Sequence, residues 1–313
     1  MNFEKIPPVE ASKQILDLAF RKAREKGMMK DLEGNWLQII RKKESLKLDV
    51  IKDCIVPRLE NIIRSFPDTN SLPDFYIKLM RLTLDFGDFK KSLGAVNWAI
   101  KRVKELQKEY VRRIVKTKTK TEISQLSKEF YGRVSSTLKQ IDPSLKYLEE
   151  SRKLMRTYPD IKNLFTVCIY GFPNVGKTTL LNKLTNTTAK VAAYAFTTKS
   201  INVGYYNNIQ VVDVPGTLAR KEKLNNIELQ ADIVLKDLAD VVIFVFDLSE
   251  FCGYSVKDQE KLLQHLDRKK PVLIYLSKTD LPEGNPGKSF KQEVYSFKEL
   301  KEKISELAAK SSE

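Results

Sequence analysis

Eight consecutive residues, Gly171, Phe172, Pro173, Asn174, Val175, Gly176, Lys177 and Thr178, spell GxxxxGK[ST] and constrain the fold more tightly than any other stretch of the chain. The pattern works only as a loop between a strand and a helix, where backbone N–H groups converge on an anion at the helix N-terminus. The flanks comply. Residues 165–170 are rich in β-favouring side chains, and Leu180, Leu181 and Leu184 recur at helical spacing after the loop. In such a loop Lys177 reaches the β- and γ-phosphates of a nucleotide, and the Thr178 hydroxyl ligates Mg²⁺. Gly171, Pro173, Asn174, Val175, Gly176 and Thr179 complete the expected cradle.

Around this loop the chain changes period. Its 313 residues predict two domains. Residues 1–160 read as helical, with segments at 11–26, 35–66 (bent before Pro57), 72–86, 93–116, 122–140 and 145–156. Residues 161–313 alternate strands at 165–170, 201–206, 209–214, 241–247, 272–277 and 293–295 with helices at 177–184, 227–238, 256–266 and 297–309. The predicted fold is an antiparallel helical bundle (1–160) followed by a P-loop domain (161–313) with a doubly wound, mostly parallel sheet.

Charge separates the halves further. Residues 1–160 carry 34 Lys and Arg against 22 Asp and Glu, whereas residues 161–313 carry 21 against 18. The basic excess points to a polyanion, nucleic acid ahead of an anionic membrane. Lys101, Lys104, Lys108, Arg112 and Lys116 recur at helical spacing, Arg102 and Arg113 widen the stripe, and Val103, Leu106, Tyr110 and Ile114 mark an apolar face. A solvated helix face is the plain alternative; only Glu105 and Glu109 offset the nine basic residues of 101–120, which favours contact with RNA phosphates and shape. No stretch approaches the ~20 apolar residues of a membrane span, and the first residues lack a secretory apolar run. Cys54, Cys168 and Cys252 lie far apart, which predicts free thiols in a reducing cytoplasm, and His265 falls on a helix as a surface or packing residue.

Two later motifs extend the phosphate loop. Asp213, Val214, Pro215 and Gly216 follow an apolar strand and fit DxxG: the aspartate holds a magnesium-bound water and the glycine N–H turns towards the γ-phosphate. Ser277, Lys278, Thr279 and Asp280 end another strand and fill the base-recognition slot usually written NKxD. A carboxylate there accepts two hydrogen bonds from guanine; adenine offers an acceptor at N1 and no exocyclic amine beside it. Lys278 is expected along the base plane, and Ser296, before the last helix, to present its N–H to guanine O6. Between the first two motifs, Thr198, with Thr197 as the alternative, completes the Mg²⁺ shell and senses the γ-phosphate. Lys177, Thr198 and Gly216 are the expected catalytic set.

These motifs, in this order on strand ends, resemble a translation-factor-class GTPase. GFPNVGKTT with FTT is similar to the Obg-related group, and Asp247–Ser255 (DLSEFCGYS) resembles a signature of its nucleolar GTP-binding (Nog) subfamily, as do the opening FEKIPPV and the helical half. The resemblance covers essentially the whole chain and is to the shorter, archaeal type. It implies a large-ribosomal-subunit assembly factor that binds rRNA through its helical domain, exchanges GTP and GDP, and is monomeric off the ribosome. Thr217, where many GTPases carry a water-orienting glutamine, predicts slow intrinsic hydrolysis. Asn174 occupies the position that ligates K⁺ in similar enzymes; a loop-stabilising amide is the alternative. The competing expectation is an RNA-binding module that binds GTP and GDP and turns over little.

Overall fold

The computed structural model describes residues 3–28, 33–185, 194–195, 200–214, 216, 226–266, 269–280 and 292–311. The chain divides into two compact units. One comprises Glu4–Leu72 and Leu84–Arg156; the other Met1–Phe3, Pro73–Thr83 and Thr157–Glu313.

The first unit is helical: α1 (Ser12–Gly27), α2 (Trp36–Ser65), α4 (Phe86–Lys116), α5 (Lys120–Gln140) and α6 (Asp142–Met155). Helix α2 packs against α1, α4 and α5, and α4 also packs against α6. Helices α4 and α5 are joined by only Thr117–Thr119, which makes them antiparallel neighbours. The predicted stripe of α4 is its buried face: Val103, Leu106, Tyr110 and Ile114 are at most 1% exposed. The Tyr110 hydroxyl accepts from Arg133 Nε at 2.9 Å, so the ring is buried with its oxygen satisfied. Helix α2 runs through Pro57, whose ring nitrogen cannot donate within the helix. Helix α4 begins before the predicted residue 93 because the Asp85 carboxylate caps it, accepting from Asp88 N–H at 2.9 Å. Asp142 caps α1 from outside, accepting from Ser12 N–H at 3.0 Å, and the Ser12 hydrogen bonds hold its carboxyl below the usual range.

Helix α3 (Asp74–Thr83) comes from the N-terminal half yet stands in the second unit. It buries Phe75, Tyr76, Leu79 and Met80 and packs against α8 (Asn226–Asp237), with Lys78 Nζ 2.6 Å from Asp237. Tyr76 Oη donates to Pro159 O at 2.8 Å and accepts from Ile161 N–H at 2.9 Å; Phe3 lies edge-on against both Tyr76 and Tyr158. A single boundary at residue 160 therefore misses an exchange, because Phe3 and α3, both from the first half, serve the second core.

The second unit holds a seven-stranded sheet in the order β2-β3-β4-β1-β5-β6-β7. The strands are β1 (Thr166–Tyr170), β2 (Tyr194–Ala195), β3 (Ser200–Tyr206), β4 (Ile209–Asp213), β5 (Val241–Phe246), β6 (Val272–Leu276) and β7 (Val294–Tyr295). Pairs β1–β4, β1–β5, β5–β6 and β6–β7 are parallel, while β3 is antiparallel to both β4 and β2. Strand β2 is absent from the sequence-based set; it lies just ahead of the threonines expected to form a first switch. Strands β1, β4 and β5 are buried along their length, as the central strands of a mostly parallel sheet must be, and β4 buries the polar Gln210 and Asp213 as well. The remaining helices are α7 (Lys177–Thr185), α9 (Val256–Gln264) and α10 (Phe297–Lys310). The three cysteines are buried and free, and burial pushes the Cys168 thiol up. Among the described residues no helix is long and apolar enough to cross a membrane.

Candidate functional site

Parallel register brings the carboxyl ends of β1, β4, β5 and β6 to one edge of the sheet, where ligands of such folds bind. The segments beginning at Gly171, Val214, Asp247 and Ser277 leave from there. A cavity of about 570 Å³ opens at this edge, lined among others by Asn174, Lys177, Thr178, Tyr275, Lys278 and Asp280. Parts of two motifs far apart in sequence share its wall.

The phosphate loop owes its curl to backbone that bulky residues avoid. Gly171 has φ +148°, and a Cβ there would lie 2.8 Å from the Val245 carbonyl oxygen. Asn174 takes φ +61°, and Gly176 follows at +95°. Lys177 is buried and donates from Nζ to Phe172 O at 2.7 Å. Asp213 reaches the loop through register, Ile169 of β1 pairing with it. Its Oδ2 accepts from Thr178 Oγ1 at 2.6 Å and from Asn202 Nδ2 at 3.1 Å, Asn202 standing opposite it on antiparallel β3. Burial raises the Asp213 carboxyl above its ordinary range, against the Thr178 hydrogen bond, the Lys177 charge and the Asn202 hydrogen bond. A buried carboxylate oxygen beside a hydroxyl is a pair of hard oxygen donors, and that chemistry fits Mg²⁺. Gly216 completes this end: a Cβ there would lie 2.6 Å from Pro173 N and 3.0 Å from Lys177 Nζ, so only glycine permits the approach. Thr197, Thr198 and Thr217 lie outside the described residues.

At the base end, Ser277 donates from both N–H (2.8 Å) and Oγ (3.0 Å) to Phe246 O, tying β6 to β5. Its Cβ lies next to Gly176. Lys278 takes φ +54° and places Nζ 2.6 Å from Asp247 Oδ2. Asp280 is exposed on the cavity wall. Ser296 departs from expectation. Its N–H donates to Glu299 Oε2 at 2.8 Å and its Oγ accepts from Glu299 N–H at 3.4 Å, a capping box that starts α10 and engages the N–H expected at guanine O6.

Three contributors escape a reading of the sequence. Asn202 gives no signal there beyond a polar residue in a strand. Asp247 stands out only as part of a family signature; its side chain is fully buried and accepts from Ser249 N–H, Cys252 N–H (2.8 Å) and Lys278. Burial opposes its ionisation, but the Lys278 hydrogen bond, then those of Ser249 and Cys252, hold its carboxyl below the usual range. Gln259 sits fully buried on α9, donating to Asp247 O and accepting from Asp247 N–H, both at 2.9 Å. A glutamine on the apolar stripe of a short helix is the readable clue.

A second candidate surface lies on α4. Arg102 pairs with Glu105, Lys104 with Glu60 at 2.7 Å, and Arg113 with Glu109 and Glu129. Among the described residues Lys101, Lys108, Arg112 and Lys116 make no ion pair; all four are exposed, and their spacing of seven, four and four puts them on one helical face. The seven-residue basic stripe thus resolves into four uncompensated cations flanked by neutralised ones.

Residues 3–162 match the family described as NOG1 N-terminal helical domain, and residues 166–278 match the one described as 50S ribosome-binding GTPase. An uncharacterized protein of Methanocaldococcus jannaschii is 39% identical over 283 residues, covering 89% of this chain and 81% of the relative. Nucleolar GTP-binding protein 1 of Drosophila melanogaster is 34% identical over 296 residues, covering 91% of this chain but 45% of the relative. The chain therefore spans under half the length of that eukaryotic relative. Among solved structures, the G domain of the T. maritima FeoB iron transporter aligns with a TM-score of 0.35 at 30% identity, over 46% of this chain and 98% of that one. With a phosphate loop, a DxxG aspartate bound to its threonine and a NOG1 helical domain ahead of them, the chain belongs to the NOG1 family of GTP-binding GTPases.

Proposed function

We propose that this chain is a GTP-hydrolysing switch in assembly of the large ribosomal subunit, holding rRNA with the α4 face and guanine nucleotide in the β-edge cavity. The observation that supports it best is the convergence of Lys177, Thr178, Asp213 and Gly216 at one end of an opening whose wall also carries Asp280. The same chain presents four uncompensated cations on one helix.

Within the cavity the loop from Gly171 to Thr179 binds the phosphates, with Lys177 at the β- and γ-positions. Thr178, Asp213 and Thr198 are the residues that would hold Mg²⁺, which when bound neutralises developing phosphate charge. Gly216 carries its N–H towards the γ-phosphate and fixes the position from which that group is sensed. Asp280 orients the base, Lys278 covers its plane, and Ser277 sets the spacing between the base motif and the phosphate loop. Water displaces GDP from the γ-phosphoryl group slowly, because Thr217 stands where a water-orienting glutamine is common. Asn174, exposed and lining the cavity, is the K⁺ ligand in this reading.

Helix α3 offers a route from nucleotide to RNA. It packs on α8, the helix that follows the Gly216 segment, and both of its ends continue directly into the helical unit. A shift of α8 on hydrolysis is passed to α3 and so to the segments at Leu72 and Leu84. Co-sedimentation with large-subunit particles tests the whole reading. Binding that differs between a non-hydrolysable GTP analogue and GDP, and falls steeply with salt, is expected; binding indifferent to nucleotide and salt contradicts it.

A further inference from the structure

The signature segment Asp247–Ser255 supplies none of the nucleotide contacts assigned above, yet it touches both halves of the site. At its start Asp247, with its side chain fully buried, holds the ammonium of Lys278 at 2.6 Å. At its end the ring of Tyr254 stacks on Phe172 of the phosphate loop, with centroids 4.5 Å apart and planes 29° apart. The segment between is braced internally. Ser249 and Cys252 donate backbone N–H groups to the Asp247 carboxylate, and Gln259 hydrogen-bonds the Asp247 backbone on both sides and the Tyr254 carbonyl at 3.1 Å. Glu250 at φ +58° and Gly253 at φ +86° turn the chain sharply enough for these bonds to close.

A lysine at the end of a strand is ordinarily free to sample many rotamers and points its ammonium into water. Lys278 has neither freedom. Its backbone is left-handed, its ammonium is pinned, and the side chain is only 26% exposed, so its stem forms part of the cavity wall two residues before Asp280. An apolar stem fixed in that place is a preformed surface for a planar base.

We propose that Asp247 is a positioning residue for guanine recognition: its carboxylate anchors the Lys278 ammonium and so holds the lysine stem where the base plane lies. The inference rests on assigning the cavity to a guanine nucleotide. It gives the signature segment a task, which is to link the phosphate loop, through Tyr254 and Phe172, to the base motif, through Asp247 and Lys278.

The full chain, with displacement of a fluorescent GDP derivative, supplies the test. The unaltered protein must first prefer GDP to ADP; if it does not, the assignment of the cavity fails, and with it the basis of this proposal. Given that preference, Asp247→Asn and Lys278→Met each weaken GDP binding about tenfold, and the double variant binds no more weakly than Lys278→Met alone, because residues acting through one contact do not add. Losses that multiply in the double variant, or unchanged GDP affinity in Asp247→Asn beside a weakened Lys278→Met, overturn the proposal. Should Asp247→Asn not fold, Asp247→Glu keeps the charge and moves it by one methylene. A comparable loss of GDP affinity there, absent in the Lys278→Met background, supports the proposal, and unchanged affinity overturns it.

Discussion

Thr178 and Asp213 share a 2.6 Å hydrogen bond, although 35 positions separate them in the chain. The parallel pairing of β1 with β4 delivers Asp213 to the start of α7, where Thr178 stands one residue after the phosphate-loop lysine. Burial holds the Asp213 carboxyl above its ordinary 3.8, so the folded chain binds this proton more tightly than the unfolded chain does. The sign follows by linkage: this contribution to stability is full below the unfolded value and lost as pH rises through the folded one. In the proposed site Mg²⁺ would need the carboxylate and so would show the opposite trend. Mg²⁺-dependent GTP affinity is expected to strengthen as pH rises through the folded value and to level off above it. Isothermal titration across the acidic range checks this, and Thr178→Ala should weaken Mg²⁺ dependence at every pH.

Gly216 is confined by the phosphate loop rather than by its own backbone angles. A methyl group placed on it meets Pro173 N at 2.6 Å and Lys177 Nζ at 3.0 Å. Gly216→Ala should therefore slow single-turnover GTP hydrolysis by an order of magnitude or more, as loss of one transition-state contact does, and should weaken GDP binding too, because the added methyl presses on the phosphate loop and its lysine. Rapid-quench kinetics beside GDP titration separates the two effects.

On α4, pairing distinguishes cations that look alike in sequence. Lys104 is engaged with Glu60, whose carboxyl is held below the usual range chiefly by the Lys104 hydrogen bond, whereas Lys108 and Arg112 have no ion-pair partner among the described residues. Replacing Lys108 and Arg112 by alanine should weaken rRNA binding and reduce the slope of log affinity against log salt by roughly 1.5. Lys104→Ala should change that slope far less. Filter binding at several salt concentrations reads both.

Tyr76 joins α3 to the entry of β1 by donating to Pro159 O and accepting from Ile161 N–H. Tyr76→Phe keeps the ring and strands both backbone groups, which should cost about 1–3 kcal/mol of stability. Urea unfolding of the full chain measures it. The same variant should blunt any nucleotide dependence of RNA binding, since α3 is the proposed link.

Most of the GTPase half is legible in the sequence because its strands are short apolar runs closed by residues with chemical duties. Asp213 and Ser277 each fall at or just after a strand end, where the motif grammar places them. Helix α3 is legible as a helix but not as part of the second unit: amphipathic periodicity says that Tyr76 and Leu79 are buried, not against which partner. Ser296 shows the converse limit. Its position before α10 is readable, but Glu299, three residues on, claims its N–H through a capping box, and that local pairing prevails over a contact inferred from position alone. Asn202 and Asp247 are beyond such reach, since their roles arise from strand pairing and from a buried loop whose closure no short pattern encodes.

The proposed function turns on a guanine-specific nucleotide site with Asp280 at the base. Each charge-assisted hydrogen bond from guanine to that carboxylate is worth about 1.5–3 kcal/mol. Displacement of a fluorescent GDP derivative from the purified chain by unlabelled GDP and by ADP tests it most directly. GDP should displace at concentrations at least tenfold below ADP, with the gap closing in Asp280→Ala; equal displacement by both nucleotides in the unaltered chain would contradict guanine recognition by Asp280.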